Sequence, residues 1–197
     1  MTEWGFSDWH VNACEVQLRE GWVIARVLEV HRTNWLITTG EEEMRAELSG
    51  KLAFSVESSE DRPAVDDFVQ VQVFDGADFA IIDDVLPRRT SLQRKAAGID
   101  VGIQLIAANV DTAFIVQSCD RNFNLRRLER YLVAVREGHI DPVLLLSKQD
   151  LVTQQELGML LASIRELDSS LLVIPFSALD YQNVDAITQL MTPGKTF

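Results

Sequence analysis

Two patterns of apolar and polar positions divide the chain. Between Trp22 and Leu86, short runs of apolar and β-branched residues are separated by polar or turn-forming residues. These runs predict five strands, at residues 22–30, 35–39, 45–50, 68–74 and 79–86. The fourth run alternates apolar and polar residues, as a half-buried strand does. Five short strands with no long helix among them predict a small β-barrel of the OB-fold type.

Beyond the barrel the period changes to an alternation of continuous apolar runs and amphipathic helical stretches. The predicted strands are residues 110–116, 143–146 and 171–176, and the predicted helices are residues 124–137, 154–167 and 184–190. Strand and helix in alternation predict a parallel sheet, and continuously apolar strands are typical of a sheet that is covered on both faces. The fold class is therefore β plus α/β: a five-stranded barrel, then a parallel sheet with flanking helices.

These patterns predict four segments. Residues 1–20 form a short helical or irregular extension, residues 21–86 the barrel, residues 87–102 a basic interdomain linker, and residues 103–197 the α/β domain. A chain of this length is sufficient for one large domain or two small ones.

Composition narrows the partners and the compartment. The net charge of −12 argues against broad electrostatic attraction to nucleic acid, but it leaves room for a local basic patch. No apolar run is long enough to span a bilayer, and the N-terminus lacks the features of a signal peptide, so we expect a cytoplasmic protein. Cys14 and Cys119 lie far apart without metal-ligand spacing, which favours buried thiols over a disulfide or a metal site.

The linker carries four positive charges: Arg88, Arg89, Arg94 and Lys95. Two interpretations stand side by side. The cluster is either a solvated tether or, in a chain this acidic, a set of contacts to RNA phosphates.

The candidate chemistry lies at the ends of two predicted strands. Ser147, Lys148, Gln149 and Asp150 follow one strand, and Ser177-Ala178 follow the next. In an open parallel sheet, ligands bind at the carboxyl ends of the strands. There a carboxylate at Asp150 can accept both adjacent N–H groups of guanine, and the Lys148 stem can cover the base. Backbone N–H groups at 177–178 can donate to the guanine carbonyl. The alternative is two exposed charges after a strand, because Lys-x-Asp also occurs by chance.

Longer stretches resemble one family. Residues 104–112, QLIAANVDT, and 123–132, FNLRRLERYL, together with the segments 63–67, 86–90 and 94–98, resemble the ribosome small-subunit-dependent GTPase A (RsgA) family of circularly permuted GTPases. The resemblance runs from about residue 20 to the last residue.

The resemblance implies an OB-fold, a permuted GTPase domain whose base-specificity loops come first, and a C-terminal zinc domain. It also implies GTP or GDP as ligand, and the small ribosomal subunit and its rRNA as partners. The phosphate-binding loop of the family follows a strand that opens like residues 193–196, so we expect this chain to end before that loop. Mg²⁺ and Zn²⁺ are then expected only with the later part. No residue here is a candidate for the chemical step, and we expect no GTP hydrolysis by this chain alone.

Two positions depart from the family pattern. Ser147 replaces the usual Asn and lacks the carboxamide that orders the base loops, which predicts a lower affinity for the nucleotide. Asp66 replaces the usual Gly at a turn, and Asp tolerates the left-handed conformation better than most residues.

Two further hypotheses follow. The chain is alternatively a non-catalytic module that docks on RNA or the ribosome through its barrel and linker. In addition, a partial parallel sheet leaves an unpaired edge, and we expect that edge to be covered by another chain, self-associated or disordered. A monomer with a fully protected edge would refute the second of these.

Overall fold

The computed structural model describes residues 1–13, 21–56, 58, 60–74, 78–95 and 103–197, with the side chain of Lys95 excepted. Cys14 and the linker glycines Gly98 and Gly102 lie outside the described residues. The chain forms two compact units, residues 1–110 with 193–196, and residues 111–192 with 197. Within the described part, no helix has both the length and the apolar character that crossing a membrane requires.

The first unit contains the predicted barrel, preceded by a short helix, α1 (Asp8–Ala13). The barrel strands are β1 (Val23–Val30), β2 (Trp35–Thr38), β3 (Glu43–Leu48), β4 (Phe68–Val73) and β5 (Phe79–Val85). They close in the order β1-β2-β3-β5-β4, with β3 and β5 parallel and the other pairs antiparallel. A second short helix, α2 (Gly50–Ser55), lies between β3 and β4 in the chain. This topology confirms the OB-fold that the strand pattern predicts.

Alternation along the strands builds the barrel core. Successive residues of a strand point to opposite faces, so every second residue enters the interior. The residues that are completely buried on these strands are small or branched: Ala25, Val27, Ile37, Ala46, Val69, Val71, Ala80 and Ile82. Small residues beside branched ones fill the interior of a narrow barrel.

The turn before β4 has the strained backbone that the sequence predicts. Asp66 has a φ of +67°, in the left-handed region that costs most residues energy but that Asp tolerates. Its carboxylate lies 2.9 Å from a guanidinium nitrogen of Arg26. The Asp at this position therefore keeps the turn and adds an ion pair to the largely buried Arg26 side chain.

Two strands that the sequence pattern did not predict also belong to the first unit. They are β6 (Ser91–Lys95) and β7 (Ile103–Ala108), which pair antiparallel. A parallel bridge between Val65 and Ala107 connects β7 to the segment before β4. The segment predicted as a linker thus contains a strand, while the domain boundaries themselves stay a prediction.

The second unit alternates strands and helices as predicted. In chain order its elements are β8 (Thr112–Ser118), α3 (Leu125–Glu137), β9 (Asp141–Ser147), α4 (Gln154–Leu167), β10 (Leu172–Pro175) and α5 (Val184–Leu190). The sheet order is β10-β9-β8, and both pairs are parallel. Side-chain caps fix the starts of two helices: Asn124 accepts from the backbone of α3, and Thr153 with Glu156 forms a capping box on α4.

Candidate functional site

The carboxyl ends of the three parallel strands lie side by side. Ser118 of β8 pairs with Ser147 of β9, and Leu146 of β9 pairs with Pro175 of β10. Cross-strand backbone bonds continue past the strand ends, from Cys119 N–H to the Ser147 carbonyl (2.8 Å). The register of the sheet therefore brings the loops after all three strands to one edge, where ligands of open parallel sheets bind.

The loop after β9 turns sharply at Lys148. This residue has a φ of +61°, and a single 3₁₀ turn, Gln149–Leu151, follows it. The Ser147 hydroxyl donates a hydrogen bond to the Gln117 carbonyl of β8 (3.3 Å). A non-glycine residue in the left-handed region is uncommon, and such residues cluster at functional sites. The turn places Asp150 on an exposed 3₁₀ segment instead of continuing the strand.

The Asp150 carboxylate is available to a ligand. Its side chain is exposed, and it has no hydrogen bond or ion pair with any of the residues that the structure describes. An ionised carboxylate has two oxygens that accept hydrogen bonds and none that donates. The group can therefore accept from two adjacent N–H donors.

The loop after β10 offers a backbone donor. Ser177 is completely buried; its N–H donates to the Gln182 carbonyl (3.2 Å) and its hydroxyl accepts from the Leu179 N–H (3.2 Å). The N–H of Ala178 between them donates to no partner within the described ranges. The buried serine thus holds the loop in shape, and the exposed alanine presents a free backbone donor.

Gln149 connects the two loops. Its backbone N–H donates to the Phe176 carbonyl (3.1 Å), and its side-chain amide donates to the Gln182 side chain (2.8 Å). All six residues predicted for this site, 147–150 and 177–178, therefore lie at the end of β9 or on the loops after β9 and β10, and these two loops are hydrogen-bonded to each other.

The structure adds Asp120, which the sequence analysis missed. The Lys148 ammonium lies 3.0 Å from one carboxylate oxygen of Asp120, at the end of β8. The other oxygen accepts from the Ser118 hydroxyl (2.7 Å) and the Asn122 N–H (2.9 Å). Because Lys148 is half-exposed, the ion pair itself is weak. The Ser118 and Asn122 donors orient the Asp120 carboxylate, and the carboxylate in turn positions the lysine ammonium.

These donors also control the charge of Asp120. The hydrogen bond from Ser118 is the largest influence, followed by those from Asn122 and Lys148, and together they lower the pKa of Asp120 to about 2. The carboxylate is therefore ionised throughout the physiological range. Its contribution to stability is present above the ordinary Asp pKa and is lost as the pH falls through about 2.

We expect a carboxyl-detected NMR titration to find this low pKa at Asp120. Ser118→Ala and Lys148→Met should each raise the pKa of Asp120, because the hydrogen bonds from both side chains lower it. Ser163→Ala is the matched control, because the Ser163 hydroxyl donates to the Leu160 carbonyl within α4 and not to Asp120. An Asp120 titration in the ordinary Asp range, or an unchanged Asp120 pKa in the Ser118→Ala variant, would contradict this network.

A cavity of about 660 Å³ lies beside the site. Cys119, Asp120, Arg121, Leu151 and Glu156 are among the residues that line it, and none of the six predicted site residues does. The pKa of the Cys119 thiol is raised, chiefly by burial, so this cysteine is a protonated thiol. Among the described residues, no group of three His, Cys, Asp or Glu side chains is placed to hold a metal ion.

The predicted basic cluster occupies three different environments. Arg88 is mostly buried and donates to Asp67 and to two backbone carbonyls. Arg89 is half-buried, and its backbone N–H donates to the side-chain oxygen of Asn109 (3.0 Å). Arg94 is exposed on β6, whereas the Lys95 side chain lies outside the described residues. Arg94 is thus at the surface, and the RNA role of all four residues stays a prediction.

Comparison with known proteins gives one consistent result. The family model described as RsgA GTPase matches residues 85–197. A protein from Opitutus terrae named small ribosomal subunit biogenesis GTPase RsgA is 33% identical over 200 residues, which cover 98% of this chain and 54% of that protein. A protein of the same name from Methanosarcina acetivorans is 38% identical over 175 residues, covering 89% of this chain and 46% of that protein.

Solved structures agree on the fold. YjeQ from Thermotoga maritima aligns with a TM-score of 0.69 at 17% identity, over 87% of this chain and 57% of that one. YloQ, a circularly permuted GTPase, aligns with a TM-score of 0.65 at 18% identity, over 90% of this chain and 60% of that one. The chain spans about half the length of the curated relatives it matches.

Proposed function

The chain belongs to the RsgA GTPase family, and from this premise we propose that it carries the guanine-recognition half of a GTP-hydrolysing factor for late maturation of the small ribosomal subunit. Relatives that match almost the whole chain are named as small ribosomal subunit biogenesis GTPases. The substrate is GTP, the product is GDP, and the partner is the small subunit with its rRNA. A cytoplasmic location is part of the same proposal.

One observation supports the nucleotide assignment above the others. The Asp150 carboxylate and the Ala178 N–H, neither of which has a partner among the described residues, stand on two loops that are hydrogen-bonded to each other. Guanine presents two adjacent N–H donors and, next to them, a carbonyl acceptor. Asp150 accepts from the donors, and the Ala178 N–H donates to the carbonyl. Adenine has neither the donor pair nor the carbonyl, so the same groups reject it.

Lys148 and Ser147 have supporting roles in this proposal. The Lys148 stem covers one face of the base while its ammonium is held by Asp120. Ser147 makes the bond to the Gln117 carbonyl with a hydroxyl, where a carboxamide in the usual Asn has an additional donor and acceptor. We therefore propose a lower affinity for the nucleotide than a site with Asn would have.

No residue of this sequence is assigned to phosphate or metal binding. The sequence contains no G-x-x-x-x-G-K-[ST] motif, because Gln189 stands where the first glycine would have to precede Gly194-Lys195-Thr196. In GTPases such a loop binds the β- and γ-phosphates and contributes to the Mg²⁺ site. Zn²⁺ is proposed on the family resemblance alone, and no residue of this sequence is assigned to it.

We expect this chain alone to bind guanine nucleotide weakly and to hydrolyse no GTP. Titration of the ¹⁵N-labelled chain with GDP should shift the amide signals of residues 148–150 and 178, and ADP should leave them unchanged. The dissociation constant should be well above about 1 µM, because phosphate contacts contribute most of the affinity. Turnover of GTP above the buffer rate, or equal shifts with ADP, would contradict the proposal.

The rival function is a non-catalytic module that docks on RNA. The exposed Arg94 favours this module, which predicts that removing the Asp150 carboxylate has no effect on nucleotide binding.

Self-association through the edge strand β8 is also part of the proposal. The apolar Val116 on that strand is 58% exposed, which is consistent with a surface that another copy covers.

A further inference from the structure

A second pocket, of about 520 Å³, lies entirely within the first unit. Its walls are the end of β1, the segment before β4, and strands β6 and β7. The Ala108 N–H donates to the Val65 carbonyl (2.9 Å), beside the bridge between Val65 and Ala107. These backbone bonds attach β7 to the segment before β4 and so form the pocket between them.

Two arginines at this pocket have no carboxylate partner among the described residues. Arg62 and Arg94 both line it, both are exposed, and neither forms an ion pair within the part of the chain that the structure describes. Arg94 donates from Nε to Gln104, directly opposite on β7 (3.0 Å), which orients the guanidinium and leaves its terminal N–H groups available. Two cations at one pocket of a chain with net charge −12 favour an anionic ligand.

Much of the pocket lining is apolar. Val30 at the end of β1 is 45% exposed and Ile106 on β7 is 43% exposed, and both line the pocket. A simple inorganic anion has no apolar surface to bury against these side chains. The combination instead suits a ligand with a phosphate group and a flat apolar ring.

The segment that carries Arg62 is held in place by hydrogen bonds, of which those at Pro63 and Ala64 are buried. The Arg88 guanidinium donates to the Arg62 carbonyl (2.9 Å), and the neighbouring Pro63 carbonyl accepts from the Trp35 indole N–H (2.9 Å). The Asp67 carboxylate accepts from the Ala64 N–H (2.7 Å). Because these bonds fix the backbone beside Arg62, little ordering is required when a ligand binds.

We propose that this pocket binds one nucleotide of single-stranded RNA, with the phosphate between Arg62 and Arg94 and the base against Val30 and Ile106. A single strand presents its phosphate and an unstacked base together, whereas a duplex keeps its base faces stacked. The inference rests on the RNA partner in the proposed function and gives that partner a defined contact. It also assigns Arg88 to positioning the Arg62 segment.

Fluorescence anisotropy with a labelled ten-nucleotide uridine oligomer at low salt tests the charges. The double variant Arg62→Gln/Arg94→Gln should lose about tenfold or more in affinity. Its slope of log K against log salt should fall by about 0.7, the value for one phosphate contact with a single strand. The matched control is Arg126→Gln/Arg130→Gln, which removes the same charge from exposed positions on α3 and should change the affinity less than about twofold.

Ile106→Ser tests the apolar wall. This exposed position should tolerate the change, and the variant should bind the oligomer at least about threefold more weakly while binding inorganic polyphosphate as before. Equal losses in the two arginine double variants, equal binding of an RNA duplex, or an unchanged oligomer affinity in Ile106→Ser would overturn the proposal. No guanine nucleotide is present in these assays, so their failure would leave the Asp150 site untouched.

Discussion

Asp150→Asn is expected to remove the preference of the chain for guanine over adenine nucleotides. In the proposed site the carboxylate accepts two hydrogen bonds from guanine, whereas the carboxamide of the variant has one acceptor and turns a donor toward the second N–H. Hydrogen bonds to a charged group contribute about 1.5–3 kcal/mol each, so the loss of even one corresponds to a roughly 10- to 150-fold lower affinity for guanine. Because the Asp150 side chain is exposed and makes no internal bond among the described residues, the fold should be unaffected.

The same substitution should favour xanthine nucleotides, in which a carbonyl replaces the exocyclic amino group. The carboxamide of the Asp150→Asn variant can donate to that carbonyl, so the preference should invert rather than vanish, and only a direct contact to the base explains an inversion. Titrations of the labelled chain with GDP, XDP and ADP measure it. Asp141→Asn is the matched control, because Asp141 is exposed at the opposite end of the same strand. Retention of guanine preference in the Asp150→Asn variant would support the docking module over the nucleotide site.

Local signals explain why most of the second unit could be predicted from the sequence. The helix α4 occupies the predicted residues 154–167, because a capping box at Thr153 and Glu156 fixes its start and a stripe of leucines fixes its buried face. The convergence of the loops at 147–150 and 177–178 follows from a parallel sheet in which neighbouring strands end at one edge. Both inferences depend on residues that are close in sequence or on a general rule of topology.

The features that could not be predicted from the sequence, strands β6 and β7 and the Asp120–Lys148 contact, depend on pairing between residues that are distant in the chain. Strands β6 and β7 are short, and a bulge between Leu92 and Gln93 breaks their alternation. Asp120 reaches Lys148 only because the register of β8 and β9 aligns Ser118 with Ser147, and no local pattern specifies that register.

The basic cluster illustrates the same limit. From the sequence alone, each of the four positive charges is an equally good candidate for an RNA contact, and only the fold distinguishes them. Asp67, which accepts from Arg88, lies 21 residues earlier in the chain. The structure thus makes Arg88 an internal ligand of the barrel, and it leaves Arg94 at the surface beside Arg62.

Arg88→Met should be the most destabilising of the substitutions considered, lowering the free energy of unfolding of the first unit by about 3–5 kcal/mol near neutral pH. Asp67 is completely buried, and each of its carboxylate oxygens accepts from Arg88 at 2.7 Å. Methionine fills a similar volume but leaves the buried carboxylate without its counter-charge. It also removes the bonds to the Glu60 and Arg62 carbonyls, so the segment before β4 loses its support.

The deficit of the Arg88→Met variant should depend on pH. Burial is the largest influence on Asp67 and raises its pKa, while the hydrogen bond and charge of Arg88 oppose the rise. The folded protein therefore holds the Asp67 proton to a higher pH than the unfolded chain does, and stability declines as the pH rises through that interval. Without Arg88 the pKa of Asp67 rises further and the interval widens, so the variant should lose more stability at about pH 8 than at about pH 5.

Urea unfolding followed by tryptophan fluorescence measures the stability of the first unit, because all four tryptophans of the chain lie within residues 1–35. Arg45→Met is the matched control: Arg45 is exposed on β3, so its replacement should change stability by no more than about 0.5 kcal/mol. Adding Asp67→Asn to Arg88→Met removes the stranded charge and should flatten the pH dependence. A deficit below about 1 kcal/mol at the higher pH, or the same deficit at both pH values, would mean that Asp67 is not held as a buried anion by Arg88.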